Sequence, residues 1–261
     1  MTRRAVRALR GPLLAILGVA GALVAWQLWA ERTDSFYVPS TTDVLDAAWS
    51  LWRDPDFLSD ARESLERLVA GFVIGSAVGI GVGLLMGSSV RVRRALEPLV
   101  DLLRSTPPIA IVPALLIVAG LGNGMRVPLI AFGVCFPVLL NTVDGVRAVS
   151  PEARDTASLL HVGQLERGLR IYLPAALPSI AVGLRIAISV ALVLVVVSEL
   201  AGEGGGLGGY LETAANRAEF PEVYACILFL GLLGYVLNRL FVALERRFLA
   251  WHYGAAGEQP A

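Results

Sequence analysis

Arginines and carboxylates supply nearly all of the reactive side chains in this 261-residue chain. The two histidines, His161 and His252, stand too far apart to form a metal site, and both cysteines, Cys135 and Cys226, lie in apolar runs where thiols pack. The sequence contains no Ser-His-Asp arrangement and no H-E-x-x-H motif. We therefore expect no catalytic site and no cofactor.

Lysine is absent, and all 22 basic residues are arginines. The phosphate-binding loop G-x-x-x-x-G-K-[ST] requires a lysine, so any ATP that drives this protein must be hydrolysed by another subunit. The 22 acidic residues bring the formal net charge to zero, which gives no basic field to attract nucleic acid.

The composition is that of an integral membrane protein. Hydrophobic residues make up 56% of the chain, charged residues only 17%, and the mean hydropathy is +0.66. Soluble domains carry about 25% charged residues. Six apolar runs are each long enough, at about 20 residues, to cross a hydrocarbon core of about 30 Å as a helix. These predicted spans are Leu13–Ala30, Leu68–Met86, Leu96–Ala119, Val127–Val146, Ala181–Leu200 and Val223–Leu244.

Three polar residues within these runs are candidates for function. Arg185 lies about two turns into the fifth run, and because a mid-membrane arginine costs about 2.5–3.5 kcal/mol we expect pairing or snorkelling, with substrate contact as the alternative. Glu199, at the outer end of that run, is expected in a structural salt bridge or a solvated interface, with a gate or subunit contact as the alternative. Asn141 is expected to form a hydrogen bond between helices or to line a pathway.

The third run is interrupted by prolines. Arg104 is followed by Pro107, Pro108 and Pro113, and proline bends a helix because it lacks the backbone donor. Such a bend persists in a membrane only where protein covers it or where it lines a cavity. The run is thus a kinked packing helix or a helix that lines a pathway. Asp101, Arg104 and Asp144 are expected to form ion pairs on the cytoplasmic side.

Glycines mark two further features. Five glycines recur at every fourth residue of the second run, which creates a small-residue face for close helix packing, with a subunit contact as an added possibility: Gly71, Gly75, Gly79, Gly83 and Gly87. A glycine-rich stretch, residues 202–209, follows the fifth run. We expect a re-entrant or gate-proximal turn there, followed by a short helix Tyr210–Ala218, with a plain linker as the alternative.

The arginines predict the orientation. Alternate connections are rich in arginine, which indicates the cytoplasmic side and places both termini there. These arginines are Arg3, Arg4, Arg7, Arg10, Arg91, Arg93, Arg94, Arg147, Arg154, Arg167, Arg170, Arg246 and Arg247. The predicted segments are a cytoplasmic N-terminus (1–10), a first span with an extracytoplasmic segment (11–64), a five-helix core (65–247) and a cytoplasmic tail (248–261).

The longest polar interruption on the cytoplasmic side is Ser150–Pro178. Ser150 suits a helix N-cap and Pro151 the first helical position. Gly163 offers a break, and a second helical pattern follows before Pro174 and Pro178. We expect a short helical hairpin on which another protein docks.

The spacing within this hairpin resembles the cytoplasmic signature of permease subunits of binding-protein-dependent ABC importers. That signature is E-A-A, three residues, G, nine residues and I-x-L-P. Ile171, Leu173 and Pro174 match its end; Asp155, Thr156 and Ala157 fall on E-A-A, and His161 falls on the glycine. Either His161 adopts the turn that the family's glycine makes, or the break moves to Gly163.

Other motifs are similar to the nitrate, sulfonate, taurine and bicarbonate branch of that family. They are the L-R-x-x-P at Leu103–Pro107 with Pro113, the F-P…N-T…G-x-R from Phe136 to Arg147, the L-P…L-P at Leu173–Pro178, the G-x-R at Gly183–Arg185, Glu199, and the G-L-G at Gly206–Gly208. The family's W-F-G is replaced by Val118-Ala119-Gly120, which is a departure. The resemblance extends from about Pro39 onward.

The resemblance implies an all-α integral membrane protein with six transmembrane helices and a type I ABC importer permease (MetI-like) architecture, in a bacterial cytoplasmic membrane. It implies a homodimer, two separate ATPase subunits and an extracytoplasmic solute-binding protein. A coupling helix within residues 151–170 would move the pore helices when the ATPases close. The implied coupling residues are Asp155, Thr156, Ala157, Leu160, His161, Gly163, Ile171, Leu173 and Pro174.

The weaker pathway or gate candidates are Pro107, Pro113, Asn141, Arg185 and Glu199. An ion-gradient-driven secondary transporter is the alternative function, but it would need acids within the membrane, and Glu199 is a weak candidate. The solute stays open among sulfonates, taurine, nitrate and pyrimidine-type vitamin precursors.

Overall fold

The computed structural model describes residues 3–33, 35–201 and 204–249, and they form eleven α-helices. The helices are α1 (Arg3–Thr33), α2 (Thr41–Leu51), α3 (Pro55–Ser88), α4 (Val90–Ser105), α5 (Val112–Ala119), α6 (Asn123–Arg147), α7 (Pro151–Leu159), α8 (Gln164–Arg167), α9 (Leu173–Leu200), α10 (Leu207–Asn216) and α11 (Phe220–Phe248). Residues 1–2, Gly202, Glu203 and the predicted tail from residue 250 lie outside the described residues.

Four helical segments are long and apolar enough to cross a membrane: α3, α6, Gly168–Leu200 and α11. A fifth span results if α4 and the segment Pro108–Ala119 are counted together. The predicted first span lies within α1, a single helix of 31 residues. The count of six spans stays a prediction.

The predicted third span is not one continuous helix. Helix α4 ends at Ser105, a 3₁₀ turn covers Pro108–Ile111, and α5 follows at a bend of 91°. Pro107 precedes the 3₁₀ turn and Pro113 lies in the first turn of α5, where a missing backbone donor costs least. The prolines therefore break this span into two parts.

The predicted hairpin and the fifth span are joined more closely than the sequence indicated. Helix α8, a π-helical turn over Gly168–Tyr172 and α9 follow one another without a gap, so the helix begins well before the predicted Ala181. Leu173 donates to the carbonyl of Gly168, five residues back, at the end of the π turn. Pro174 then occupies the first turn of α9, where it needs no backbone partner.

Two compact units make up the chain: Met1–Leu58 with Leu211–Leu230, and Ser59–Tyr210 with Gly231–Ala261. In the first unit, Ser40 caps α2 through a reciprocal capping box with Asp43, and the Trp26 indole donates to the carbonyl of Pro39 at 3.1 Å. Aromatic pairs join Trp26 to Tyr224 and Phe57 to Phe229.

The second unit is built around α6, which lies between α3 and α9. The glycine face of α3 lies on α6 in parallel register: Gly71 lies against Ile130, Gly79 against Val138 and Gly87 against Val146. A subunit contact through this face, which the sequence left possible, is therefore contradicted, because α6 of the same chain fills it.

Helix α9 runs antiparallel to α6 and is also packed through small residues. Gly133 of α6 meets Leu194, Gly145 meets Ala176, and Gly183 of α9 meets the backbone of α6 at Pro137. A cluster of buried apolar side chains joins α3, α6 and α9: Leu68, Ile130, Val134, Val138, Ala187, Ala191, Leu194 and Val195. The close approach of three helices defines the core of this unit.

Gly79→Ala should destabilise the protein, because an added Cβ would lie 2.6 Å from the Cys135 carbonyl oxygen and 3.0 Å from the Val138 Cβ. Overpacking of this kind costs about 1–3 kcal/mol. The free energy of unfolding in detergent would measure the loss. Gly81→Ala, on the same helix with nothing within 4 Å, should be neutral or slightly stabilising. Equal losses in both variants would contradict the packing argument.

Candidate coupling hairpin and outer ion-pair cluster

Helix α7 is the first arm of the predicted hairpin, and its start follows from local chemistry. The hydroxyl of Ser150 accepts a hydrogen bond from the Ala153 amide at 3.3 Å, which makes Ser150 the N-cap. Pro151 is the first helical residue and Glu152 lies in the first turn, near the positive end of the helix dipole. The predicted capped helix is confirmed.

Helix α7 ends at Leu159, and His161, which replaces the glycine of the motif, lies in the turn that closes it. His161 has a φ of 53°, in the left-handed region, and the Val162 amide donates to the Ala157 carbonyl at 3.1 Å. This is a Schellman motif, in which glycine is the usual left-handed residue. Gly163 is not among the described residues of positive φ, so the alternative in which the break moves to Gly163 is wrong.

The hairpin tip presents a mixed surface. Leu159 and Leu160 are 78% and 71% exposed, and Asp155 and Thr156 are exposed beside them. The Thr156 hydroxyl bonds back to the Glu152 carbonyl at 2.7 Å. Ala157, one of the implied coupling residues, is only 2% exposed, so its side chain is not part of this surface. Ala157 is on the side of α7 that turns into its own chain.

Two residues that sequence reasoning did not select attach the hairpin to the core. Arg154 donates to the carbonyls of Val146 at 2.6 Å and Val149 at 3.2 Å, and its guanidinium lies over the Tyr172 ring at 5.7 Å. Tyr172 is buried in a cluster with Val146, against which the motif residues Ile171 and Leu173 also pack. These contacts join α7 to the ends of both α6 and α9.

A buried ion-pair cluster lies at the other end of α9. The carboxylate of Glu199 is completely buried and accepts hydrogen bonds from Ser64 at 2.8 Å, from Arg67 Nη1 at 2.7 Å and from the Gly208 amide at 3.0 Å. This is the structural salt bridge expected of Glu199, and three charge-assisted donors compensate the desolvation of the carboxylate.

Arg67 joins four parts of the chain at this cluster. It donates to Glu199, to Glu63 at 2.5 Å, to Asn123 at 2.8 Å and to the Gly205 carbonyl at 2.9 Å. Because its own side chain is 9% exposed, these bonds replace its hydration. Arg67 of α3 is thereby tied to the first residue of α6 and to the last turn of α9.

The glycine-rich stretch folds around the same carboxylate. Gly206 has a φ of 102°, and a Cβ there would collide with the Glu199 carboxyl group and lie 2.6 Å from Arg67 Nη1. The amide of Gly206 donates to Asp60 at 2.7 Å and that of Leu207 to Ser64 at 2.8 Å. The turn is thus an anion-binding cradle whose anion is the chain's own carboxylate. Helix α10, which follows this turn, runs over Leu207–Asn216 and confirms that a short helix follows the glycines.

The cluster was hidden from sequence reasoning because its members are far apart in the chain. Arg67 and Glu199 are separated by 132 residues. The sequence offered one indication of the pair. Arg67 lies at the start of one apolar run and Glu199 at the end of another, and a charged residue in such a position requires a partner.

The remaining candidates have separate locations. Arg185 pairs with Glu245 of α11, whose side chain is 5% exposed. This confirms the pairing predicted for Arg185. Asn141 donates to the Pro137 carbonyl of its own helix at 2.8 Å, so the expected bond between helices is corrected. Arg104 pairs with Asp101 at 2.8 Å, while Asp144 is exposed and joins no ion pair among the described residues. No group of three potential metal ligands occurs among them either.

Curated relatives cover nearly the whole chain. A probable ABC transporter permease protein of Brucella melitensis is 30% identical over 243 residues, which is 93% of this chain and 98% of the relative. A putative aliphatic sulfonates transport permease protein of Bacillus subtilis is 31% identical over 74% of this chain and 70% of its own length. A nitrate import permease protein of Synechocystis is 29% identical, over 88% and 86%.

Solved structures have the same fold. The inward-facing methionine ABC transporter MetNI superposes with a TM-score of 0.64 at 16% identity, over 73% of this chain and 94% of that one. A bacterial ABC transporter that imports the acidic polysaccharide alginate superposes with a TM-score of 0.63 at 14% identity, over 94% and 99%. The fold is that of a type I importer permease.

The helices, the hairpin and these similarities define a multi-pass membrane subunit of an ABC importer. Residues 75–250 match the family model described as the binding-protein-dependent transport system inner membrane component, and the chain belongs to that family. Permeases of this family work with an ATPase and a solute-binding protein. Membership supports the ABC permease over the ion-gradient-driven secondary transporter.

His161→Gly should preserve the hairpin, because glycine adopts the left-handed conformation without strain. His161→Val should destabilise it, because a branched side chain at positive φ costs about 1–2 kcal/mol. Hydrogen exchange of the Val162 amide in the detergent-purified chain would report the loss of its bond to Ala157. Equal protection in the valine variant and the unmodified chain would contradict the assigned turn.

Glu199→Gln should destabilise this cluster, because it removes the buried counter-charge of Arg67 and leaves only the half-exposed Glu63 as its acidic partner. Removing one partner of a fully buried pair costs about 3–5 kcal/mol, which is the upper bound here. The unfolding midpoint and hydrogen exchange at the Leu207 and Gly208 amides would measure it. Glu66→Gln is the matched control, since Glu66 is 62% exposed in its pair with Arg62. A control loss as large as that of Glu199→Gln would refute the special role of the buried pair.

Proposed function

We propose that two copies of this chain form a pore, that two ATPase subunits dock on the cytoplasmic side, and that a solute-binding protein delivers the solute from outside. The observation that carries the proposal is the exposed tip of the hairpin, where Asp155, Leu159 and Leu160 surround the His161 turn. Such a surface would fit a groove on the ATPase in which apolar side chains contact the leucines and basic side chains at the edge contact the carboxylate.

The coupling step follows from the attachments of the hairpin. ATPase closure would displace α7, and Arg154 and Tyr172 would pass that displacement to α6 and α9. Because these helices are packed through glycine and alanine, they would tilt as one body rather than slide past each other. Alternating access then needs no chemistry within this chain.

The arginine-rich connections support an orientation in which the hairpin and both termini are cytoplasmic. In that orientation the Glu199 cluster lies near the extracytoplasmic surface, where the binding protein would dock. The cluster would keep the outer ends of α3, α6 and α9 in a fixed arrangement during docking. Pro107, Pro113, Asn141 and Arg185 stay candidates for pathway or gate residues.

The proposed solute is a small polar oxyanion such as a sulfonate, taurine or nitrate. The support is the similarity to permeases named for aliphatic sulfonates and nitrate. The binding protein would select among these solutes, and the permease would accept what it delivers.

Asp155→Arg and Leu160→Arg should each weaken binding of the ATPase, because they place a cation at an acidic contact and at an apolar one. Co-purification with the ATPase subunit of the same importer would fall at least tenfold, while the helices still insert into the membrane. Glu219→Arg is the control, with the same change of charge at an exposed residue on the predicted outer side. Unchanged co-purification of both hairpin variants would refute the docking surface.

A further inference from the structure

Helix α4 has one charged and one apolar face along its length. Arg93, Glu97, Asp101 and Arg104 follow one another at intervals of four, four and three residues, which puts them on one stripe. An adjacent face, rotated by about 100° around the helix, lines an apolar groove of about 510 Å³ together with α3 and α6, through Leu96, Leu99, Val100 and Leu103. Since the apolar face fixes the rotation of α4, the charged stripe is turned away from the core.

Helix α4 is long and apolar enough to cross a membrane only together with Pro108–Ala119, beyond the 91° bend. If the two parts form one span that starts at Val90, the charged stripe lies at membrane depth. Arg104, next to the last residue of α4, lies about 21 Å along the helix from Val90. An arginine or aspartate facing lipid at such depth costs about 2.5–3.5 kcal/mol. The stripe must therefore face water or protein rather than lipid.

Asp101 orients the Arg104 guanidinium but bonds to only one of its three nitrogen atoms. Its Nε donates to Asp101 Oδ1 at 2.8 Å, and the two side chains are 48% and 55% exposed. Within the described part of the chain, no further acceptor lies within hydrogen-bond distance of its two Nη groups. Those four N–H donors form the planar fork that binds oxyanions.

Three other arginines in the apolar helices of this unit are bonded elsewhere. Arg67 and Arg126 are buried and bonded to the glycine-rich turn, and Arg185 pairs with Glu245. Arg239 of α11 is exposed like Arg104, but it lies over the Tyr235 ring of its own unbroken helix, whereas Arg104 lies beside the break in its span.

We propose that Arg104 contacts the transported anion in transit, as a weak oxyanion site at membrane depth, and that Asp101 positions its guanidinium. The inference rests on the proposed import of a small oxyanion and names the residue that would meet it. Asp101 also makes the local charge nearly neutral, so the site holds an anion weakly enough to release it, as a transport pathway requires.

The first test needs no knowledge of the solute. In the assembled complex, with Cys135 and Cys226 replaced by alanine, Ser105→Cys places a thiol beside Arg104 on the exposed side of α4. Its rates of reaction with sulfonatoethyl and trimethylammonioethyl methanethiosulfonates are compared. Adding Arg104→Gln should lower the ratio of the anionic to the cationic rate by about fivefold or more. Arg91→Gln, on the same helix but off the stripe, should leave that ratio unchanged.

Two outcomes of this test overturn the proposal. A Ser105→Cys thiol that reacts no faster than Leu232→Cys, on the apolar helix α11, would show that the stripe does not face water. A ratio that Arg104→Gln leaves unchanged would show that Arg104 does not set the local field.

The second test is ATP-driven uptake of taurine and of nitrate by proteoliposomes that contain the complex and its binding protein. Arg104→Gln should reduce uptake at least tenfold, Arg104→Lys less, and Arg91→Gln not at all. If Arg104→Gln leaves uptake unchanged, the anion contact is overturned and the proposed function is not. Uptake of neither oxyanion by the unmodified chain would overturn the proposed function, and the anion contact with it.

Discussion

Helix α3 reaches the backbone of α6 because a glycine occurs at every fourth residue along the contact. In lipid, helices gain nothing from hiding apolar surface from each other, so close backbone packing must hold them together. Helix α6 repeats this device toward α9 with Gly133 and Gly145. The hairpin leaves from the end of α6 and returns into α9, and the outer cluster closes the other ends. Both depend on this three-helix stack.

The outer cluster shows how a charged group is accommodated in such a stack. Burying the Glu199 carboxylate and the Arg67 guanidinium costs several kcal/mol each, which their attraction offsets only when the remaining donors and acceptors are satisfied. Ser64, the Gly208 amide and Asn123 provide those bonds. The glycine-rich turn has the backbone of an anion site, but its anion is internal. Its role in the permease is therefore to fix an arrangement rather than to bind a phosphate.

The hairpin and the charged stripe of α4 are the surfaces that the core leaves exposed. Under the proposed function, another component completes each surface: an ATPase at the exposed leucines, and water with a solute at Arg104. His161 shows that the hairpin keeps its turn without the family's glycine, since the Schellman hydrogen bond specifies the left-handed conformation and histidine accepts it. The departure from the motif changes the residue and not the geometry.

The sequence alone determined the features that depend on periodicity and local chemistry. Apolar runs marked the long helices, Ser150 and Pro151 marked the start of α7, and the I-x-L-P register narrowed its closing turn to His161 or Gly163. Only the tertiary structure decided which partners meet: Glu199 with Arg67, the glycines of α3 with α6, and Ala157 with its own chain. Helix periods repeat every few residues and are legible in sequence, whereas contacts between residues more than a hundred positions apart depend on how the helices pack.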